Sequence, residues 1–259
     1  MRKLFVTDLD GTLLENHTSI TNENCEFIQK LKKYNHCFAI ATGRAYDHID
    51  FLIEKYKMDV DYFILLNGAL IIDKHNNIVK HDIIPTEVVE NIVSEFYDED
   101  WRMHFPTGFK SFSLNFEGER IVNPNAIIIE DVKELRQERI SMVAMSYKKE
   151  NPKYVDEICK KINNKFGEYI IAYRNVDYID IVPAGCSKGS GVEYVKAKEK
   201  IMRENTFAIG DSWNDVSMFK SVEHSFTFNR AEKELQGKAK YLVDSVAECI
   251  SKYVIENAS

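Results

Sequence analysis

Two aspartates, Asp8 and Asp10, stand one residue apart directly after the apolar run Leu4-Phe5-Val6, and Gly11-Thr12 follows at once. The run is too short for a helix and fits a buried strand. Paired carboxylates at the mouth of such a strand are costly to desolvate unless a cation or a chemical task holds them there. Gly11 lets the backbone turn sharply and approach a ligand. A second acidic step, Gly210-Asp211-Ser212-Trp213-Asn214-Asp215, follows another apolar run, Thr206 to Ile209. Hard oxygen donors from two strand ends suit Mg²⁺. Two carboxylates about 4 Å apart repel by roughly 4 kcal/mol at an effective dielectric near 20. An anionic ligand therefore needs positive charge to enter such a site.

Two further stretches carry polar groups at the ends of apolar runs. Thr42-Gly43-Arg44 closes the run from His36 to Ala41, and Lys188 lies within Ser187-Lys188-Gly189-Ser190-Gly191. Each also has an ordinary structural use. A Thr after a strand commonly caps the next helix, Arg44 serves equally well in solvent, and a lone lysine at a helix start needs no ligand. Lys188 does place its charge at the unfavourable end of a helix dipole, which favours an anionic neighbour. The Walker order Gly-Lys-Ser/Thr is missing there. Asn214 and Asp215 either cap the helix that follows or serve Lys188 and metal-bound water.

The elements that position these residues alternate. Thr21 is a suitable N-cap for a helix with the stripe Phe27, Ile28 and Leu31. Ile49, Leu52, Ile53 and Tyr56 fall at i, i+3, i+4 and i+7, an amphipathic helix. A third strand, Tyr62 to Leu66, ends in Asn67-Gly68. Nearly continuous apolar strands between helices predict a parallel sheet covered on both faces, with functional residues just after the strands. From about residue 83 the texture changes. A helix with Val88, Val89, Ile92, Val93 and Phe96 precedes short strands near Trp101–Phe105, Ser111–Phe116 and Ser141–Tyr147. A helix through Val155, Ile158, Cys159, Ile162 and Phe166 follows, then strands near Tyr169–Tyr173 and Tyr178–Val182. Runs of strands beside helices predict an α+β unit with an antiparallel sheet. After Pro183-Ala184-Gly185 the alternation returns, with a strand at Ser225–Phe228 and a last helix through Val246, Ile250, Tyr253 and Val254. The layout is one α/β core, residues 1–82 and 184–259, interrupted by an inserted α+β domain, residues 83–183.

Composition limits the partners. The 259 residues are 44% hydrophobic and 29% charged, and the formal net charge is −7, ordinary for a soluble globular chain with room for a sizeable core. The acidic balance argues against a nucleic-acid binder. No apolar run is long enough to cross a membrane or to serve as a signal peptide. Five scattered cysteines without a Cys-x-x-Cys pair fit reduced thiols in a cytoplasmic protein. The seven histidines show no metal-ligand spacing. The oligomeric state is left open.

Taken together, Asp8-Leu9-Asp10-Gly11-Thr12, Thr42, Lys188 and Gly210 to Asp215 resemble, in order, the four motifs of the haloacid dehalogenase-like (HAD) hydrolases. The insertion of about 100 residues between the second and third motifs, with Asn67-Gly68-Ala69 before it and Ser187-Lys188-Gly189 after it, resembles the Cof-type class IIB branch. The resemblance implies a Rossmann-like core with an inserted cap. It also implies a Mg²⁺-dependent phosphatase of small phosphorylated metabolites, such as sugar phosphates, working through an aspartyl-phosphate. On that basis Asp8 is the nucleophile and Asp10 the general acid and base, while Thr42 and Lys188 hold phosphoryl oxygens. Leu9, Gly43 and Asn214 are then expected at the substrate, and Asp8, Asp10 (through its carbonyl), Asp211 and Asp215 at the metal; Arg44, and Arg174 at the end of a strand of the insertion, are further candidate substrate contacts by position alone. A phosphomutase and a phospho-accepting module of the receiver type use similar residues; a receiver is about half this length and has no inserted domain. One segment departs from the branch: His224 to Asn229 lacks the small-residue Val-Ala-Met-Gly-Asn-Ala pattern. Within the insertion, Trp101, His104, Phe105, Phe109, Phe112 and Phe116 are either a stacking surface for substrate or the packed face of a sheet.

Overall fold

A computed structural model of the chain describes residues 1–14, 18–114, 125–175 and 178–256. The first part runs β1 (Leu4–Asp8), α1 (Asn22–Lys33), β2 (Cys37–Ala41), α2 (Asp50–Tyr56), β3 (Tyr62–Leu65), β4 (Leu70–Asp73) and β5 (Ile78–His81). The middle holds α3 (Thr86–Phe96), β6 (Trp101–Pro106), β7 (Ser111–Leu114), β8 (Ile127–Ile129), β9 (Val143–Tyr147), α4 (Pro152–Phe166), β10 (Ile170–Asn175) and β11 (Tyr178–Pro183). The last part is α5 (Lys188–Glu199), β12 (Thr206–Ile209), α6 (Val216–Ser221), β13 (His224–Phe228), α7 (Lys233–Gln236), β14 (Tyr241–Val243) and α8 (Val246–Cys249). The chain forms two compact units. One comprises Met1–Thr42, Asp50–Lys80 and Ser187–Ser259; the other comprises Gly43–Ile49 and His81–Cys186.

The first unit is built on an eight-stranded sheet in the order β14-β13-β12-β1-β2-β3-β4-β5. From β14 to β3 each neighbouring pair is parallel. Pairing β3 with β4 is antiparallel, so an edge that the apolar pattern did not reveal extends the parallel core. The turn after β4 supplied a signal: the Asp73 side chain accepts from the amides of His75 and Asn77, as Asp does in tight turns. Leu4, Val6, Ala39 and Ile64 pack with Val192 and Val195 of α5 and Met218 and Phe219 of α6. Phe5 and Phe38, of opposite parity, are also fully buried, with ring centroids 6.2 Å apart, and α1 lies against β2. Burial on both sides is what continuous apolar strands require. Thr21 caps α1 by accepting from the Asn24 amide. The expected last helix is α8 followed by a wider, π-helical segment, Ile250–Ile255. Chain order explains the site: after β1 the strands step one way to β3, and β12 returns to β1's other side, a switch point where open parallel sheets bind ligands.

The second unit carries a six-stranded sheet, β10-β11-β9-β6-β7-β8, antiparallel except between β7 and β8. Alternate residues Trp101, Met103 and Phe105 of β6, Val143 and Met145 of β9, and Ile179 and Ile181 of β11 join one core with Val89 and Ile92 of α3 and Val155 and Ile162 of α4. The other parity presents Arg102, His104, Ser113, Ser146 and Asp180. Beyond Leu114, the strand expected to reach Phe116 lies outside the described residues, as does Phe116 itself. Among the described residues no helix is long and apolar enough to cross a membrane.

Candidate active site

Asp8 ends β1 and is 4% exposed. The first turn of α5 brings Lys188 against it: the Nζ donates to Asp8 Oδ1 and to Asp215 Oδ1, both at 2.6 Å. Ser187 starts that helix by accepting from the Ser190 amide. Gly189 makes the approach possible, since a Cβ there would sit 2.2 Å from the Ser217 carbonyl oxygen of α6. The second Asp215 oxygen accepts from the amides of Asp211 and Ser212, each at 2.9 Å. Asp215 therefore both closes the turn after β12 and holds the lysine.

Asp211 is oriented by Thr12, whose hydroxyl donates to Asp211 Oδ1 at 2.6 Å. The turn that carries Thr12 needs glycine at position 11. Gly11 has φ +77°, and a Cβ would lie 2.4 Å from Asp211 Oδ2. Burial pushes the Asp8 carboxyl well above its ordinary range, and Asp215 and Asp211 add to this while Lys188 opposes it. Burial likewise raises Asp211. For Lys188 burial alone would depress the ammonium, but Asp215 and Asp8 outweigh it and hold the group charged. Two neighbouring carboxyls such as Asp8 and Asp211 call for a shared proton or a cation between them. Asp8, Asp211 and Asp215 offer oxygens all within 4.8 Å of one another, a donor set that fits a hard divalent cation. The oxygens of Asp215 already accept three bonds, which leaves Asp8 and Asp211 as the carboxylates best suited to it.

Other expected residues fall into two groups. Asp10 is half-buried on the turn after Asp8, and the Leu9 side chain is core. Thr42 is 1% exposed just past β2, its amide donating to the Ile64 carbonyl. Asn214 lies on the short turn after Asp211, with its Nδ2 3.5 Å from Asn67 Oδ1; its own Oδ1 is buried without a hydrogen-bond partner among the described residues. Gly43, Arg44 and Arg174 belong to the second unit. Arg44 donates to the His48 carbonyl. Arg174 shares the parity of Ile170 and Ala172, on the helix-packed face, and its guanidinium lies 3.9 Å from Asp156 of α4. Most of the aromatic residues are packing. Trp101, Phe105 and Phe112 are buried in the second core, with the Trp101 ring 4.8 Å from Tyr147. Phe109 is exposed against Tyr46, and His104 is buried against the Ser113 hydroxyl at 2.7 Å.

The reading of the residues gave no role to Thr12, although it closes the first motif, nor to Asn67 as the neighbour of Asn214. Both depend on partners far away in sequence.

The chain is similar to known proteins over nearly its whole length. A protein of Streptococcus pyogenes serotype M6 carrying a phosphatase name is 26% identical over 98% of each chain. The 5-amino-6-(5-phospho-D-ribitylamino)uracil phosphatase YcsE of Bacillus subtilis is 24% identical, covering 98% of this chain and 96% of its own. In fold, the chain is similar to a haloacid dehalogenase-like hydrolase from B. subtilis, with a TM-score of 0.86, 20% identity, and coverage of 97% of this chain and 99% of that one. The family description of haloacid dehalogenase-like hydrolases matches residues 5–253, from the strand that delivers Asp8 to the last helical turns, and the chain belongs to that family.

Proposed function

We propose that the protein is a Mg²⁺-dependent phosphomonoesterase acting on a small phosphorylated metabolite, a sugar phosphate or a similar ester. The observation that carries this reading is Lys188, buried between Asp8 and Asp215 beside Asp211. A single cation among these acids leaves the pocket too negative for a phosphate dianion. Asp8, Asp211 and the Asp10 carbonyl would hold Mg²⁺, which when bound supplies the missing positive charge and polarises the phosphoryl group.

The chain's own groups then divide the work. Asp8 attacks phosphorus, forming a carboxylate O–P bond as the ester P–O bond breaks and the electron pair leaves with the alkoxide oxygen. Asp10 gives that oxygen its proton, then takes one from the water that hydrolyses the aspartyl-phosphate. Lys188 and the Thr42 hydroxyl hold phosphoryl oxygens, helped by backbone at Leu9 and Gly43 and by Asn214. Residues 83–183 serve as the cap domain inserted into a core of residues 1–82 and 184–259, and Arg44 contacts substrate. Five free cysteines suit a cytoplasmic enzyme.

A phosphate-release screen over phosphorylated metabolites, with and without Mg²⁺, tests the reading. Release that requires Mg²⁺ is expected. Interconversion of phosphate esters with no inorganic phosphate would make the protein a mutase, and a stable phosphoprotein without turnover would make it a receiver-like acceptor.

A further inference from the structure

The segment that departs from the family pattern, His224 to Asn229, is followed by a residue with two well-defined contacts. Arg230, just beyond β13, lays its guanidinium over the Phe228 ring, 3.7 Å from the centroid. Its Nη2 donates to the Gly11 carbonyl oxygen at 2.7 Å. Phe228 is 1% exposed, so the face on which the guanidinium rests is fixed. Stacking sets the guanidinium plane and the hydrogen bond sets its reach, a combination that lysine cannot supply.

The carbonyl it holds is not incidental. Gly11 lies between Asp10 and Thr12, at the tip of a turn closed at its base by the Leu14 amide donating to the Leu9 carbonyl. On one side the turn presents Thr12 to Asp211. On another it borders a groove lined by Gly11, Thr12, Asn24, Phe228, Arg230 and Ser245. We infer that Arg230 is a positioning residue for the catalytic turn: by tying the Gly11 carbonyl to β13 it keeps the neighbouring Asp10 and the Thr12–Asp211 pair in register for the divalent cation. This role rests on the proposed function only in the identity of the cation and the reaction.

Electrostatics and positioning predict opposite signs, which makes the inference testable. Arg230 is a positive charge near an acidic cluster. Were its charge all that mattered, removing it would tighten cation binding, weakly so because the group is exposed and screened. If it positions the turn, removing it weakens binding. The experiment is calorimetric titration of the full chain with Mg²⁺ for wild type, Arg230→Ala and Arg230→Lys, with thermal melts to confirm folding. Kinetics follow on whichever ester the wild type hydrolyses.

The expected result is a Kd for Mg²⁺ about tenfold weaker in Arg230→Ala, the size of one lost charge-assisted hydrogen bond. The kcat should fall similarly while KM moves less than about twofold, since a displaced turn spoils the transition state more than ground-state binding. Methylguanidinium added to Arg230→Ala should restore Mg²⁺ affinity, whereas methylammonium should not, and Arg230→Lys should recover only part. An unchanged or tighter Kd in Arg230→Ala overturns the role, as does equal rescue by the two additives. If Mg²⁺ affinity falls and is rescued as described but no ester is hydrolysed by wild type, the positioning role stands and the phosphatase reading falls.

Discussion

Two buried polar sites, one in each unit, are stabilised in opposite ways. In the first, at the carboxyl ends of β1 and β12, a buried cation, Lys188, is bonded to two buried carboxyls, Asp8 and Asp215, each of the three less than 5% exposed. In the second, His104 is 8% exposed and rests against a hydroxyl, that of Ser113. Its imidazole is pushed down to about 4, by burial first and then by the like charges of His48 and Arg102, so it is neutral at pH 7. A buried group keeps its charge where an opposite charge compensates for lost hydration, and sheds it where none does. The first arrangement can move charge during a reaction; the second shapes a surface.

The sharpest way to break the contrast is at Asp8. Asp8→Asn keeps the shape and removes the anionic oxygen, so turnover should fall on the order of 10⁴–10⁶-fold, as for loss of other nucleophiles. Circular dichroism should show the fold intact. Substantial residual phosphate release from a folded variant would reject Asp8 as nucleophile.

Removing the compensating charge should be felt in stability as well as activity. Lys188→Met keeps the stem and deletes the ammonium, leaving Asp8 and Asp215 buried together. A loss of about 3–5 kcal/mol is expected in urea unfolding, with added Mg²⁺ returning part of it by binding the folded state. A variant as stable as wild type without metal would mean that the lysine does not hold the cluster together.

The same contrast explains what the sequence made legible. Asp8, Asp211, Asp215 and Lys188 could be read because each sits next to a strand or helix signal, and the carboxylates announce a local electrostatic problem. The core strands could be read because burial on both faces leaves an unbroken apolar run. β4 and β5 escaped notice because β4 is a four-residue apolar run directly behind a turn, and β5 is an edge strand with Ile78 half-exposed. Arg230 escaped because its partners are a stacked ring two residues away and a carbonyl 219 positions away; no pattern in one stretch encodes that pairing. For Arg174 the position at a strand end does not say which face the side chain takes; that follows only from the register of β10.

A pH series sharpens the second half of the comparison. His104 has a folded value of about 4 against an ordinary 6.5, so as pH falls the unfolded chain takes the proton first. Its contribution to stability is intact above about pH 6.5 and is lost progressively between 6.5 and 4, about 3 kcal/mol in all. His104→Gln should flatten the stability–pH slope in that window by about 1.4 kcal/mol per pH unit at most. His36 is also lowered to about 4 and His81 is lowered as well, both chiefly by burial, so the variant should retain part of the wild-type slope. No change of slope in His104→Gln would show that the imidazole stays accessible to protons in the fold.

The smallest effect is expected at Arg174, and it separates a residue's place in sequence from its place on a sheet. In β10, residues 170, 172 and 174 share one face. Ile170 and Ala172 are buried there in the core that α3 and α4 cover, and Arg174 at its rim meets Asp156 of α4 at 3.9 Å. Both side chains are more than a third exposed, so the pair contributes at most about 0.5 kcal/mol. Arg174→Ala should therefore leave kcat and KM within about twofold of wild type and shift unfolding by no more than that half kilocalorie. A phosphate- or hydroxyl-binding arginine behaves differently: removing it would raise KM by tenfold or more with stability untouched. That outcome would require β10 to present its other face to the substrate, and with it a different register between β10 and β11 from the one that pairs Arg174 with Ile179.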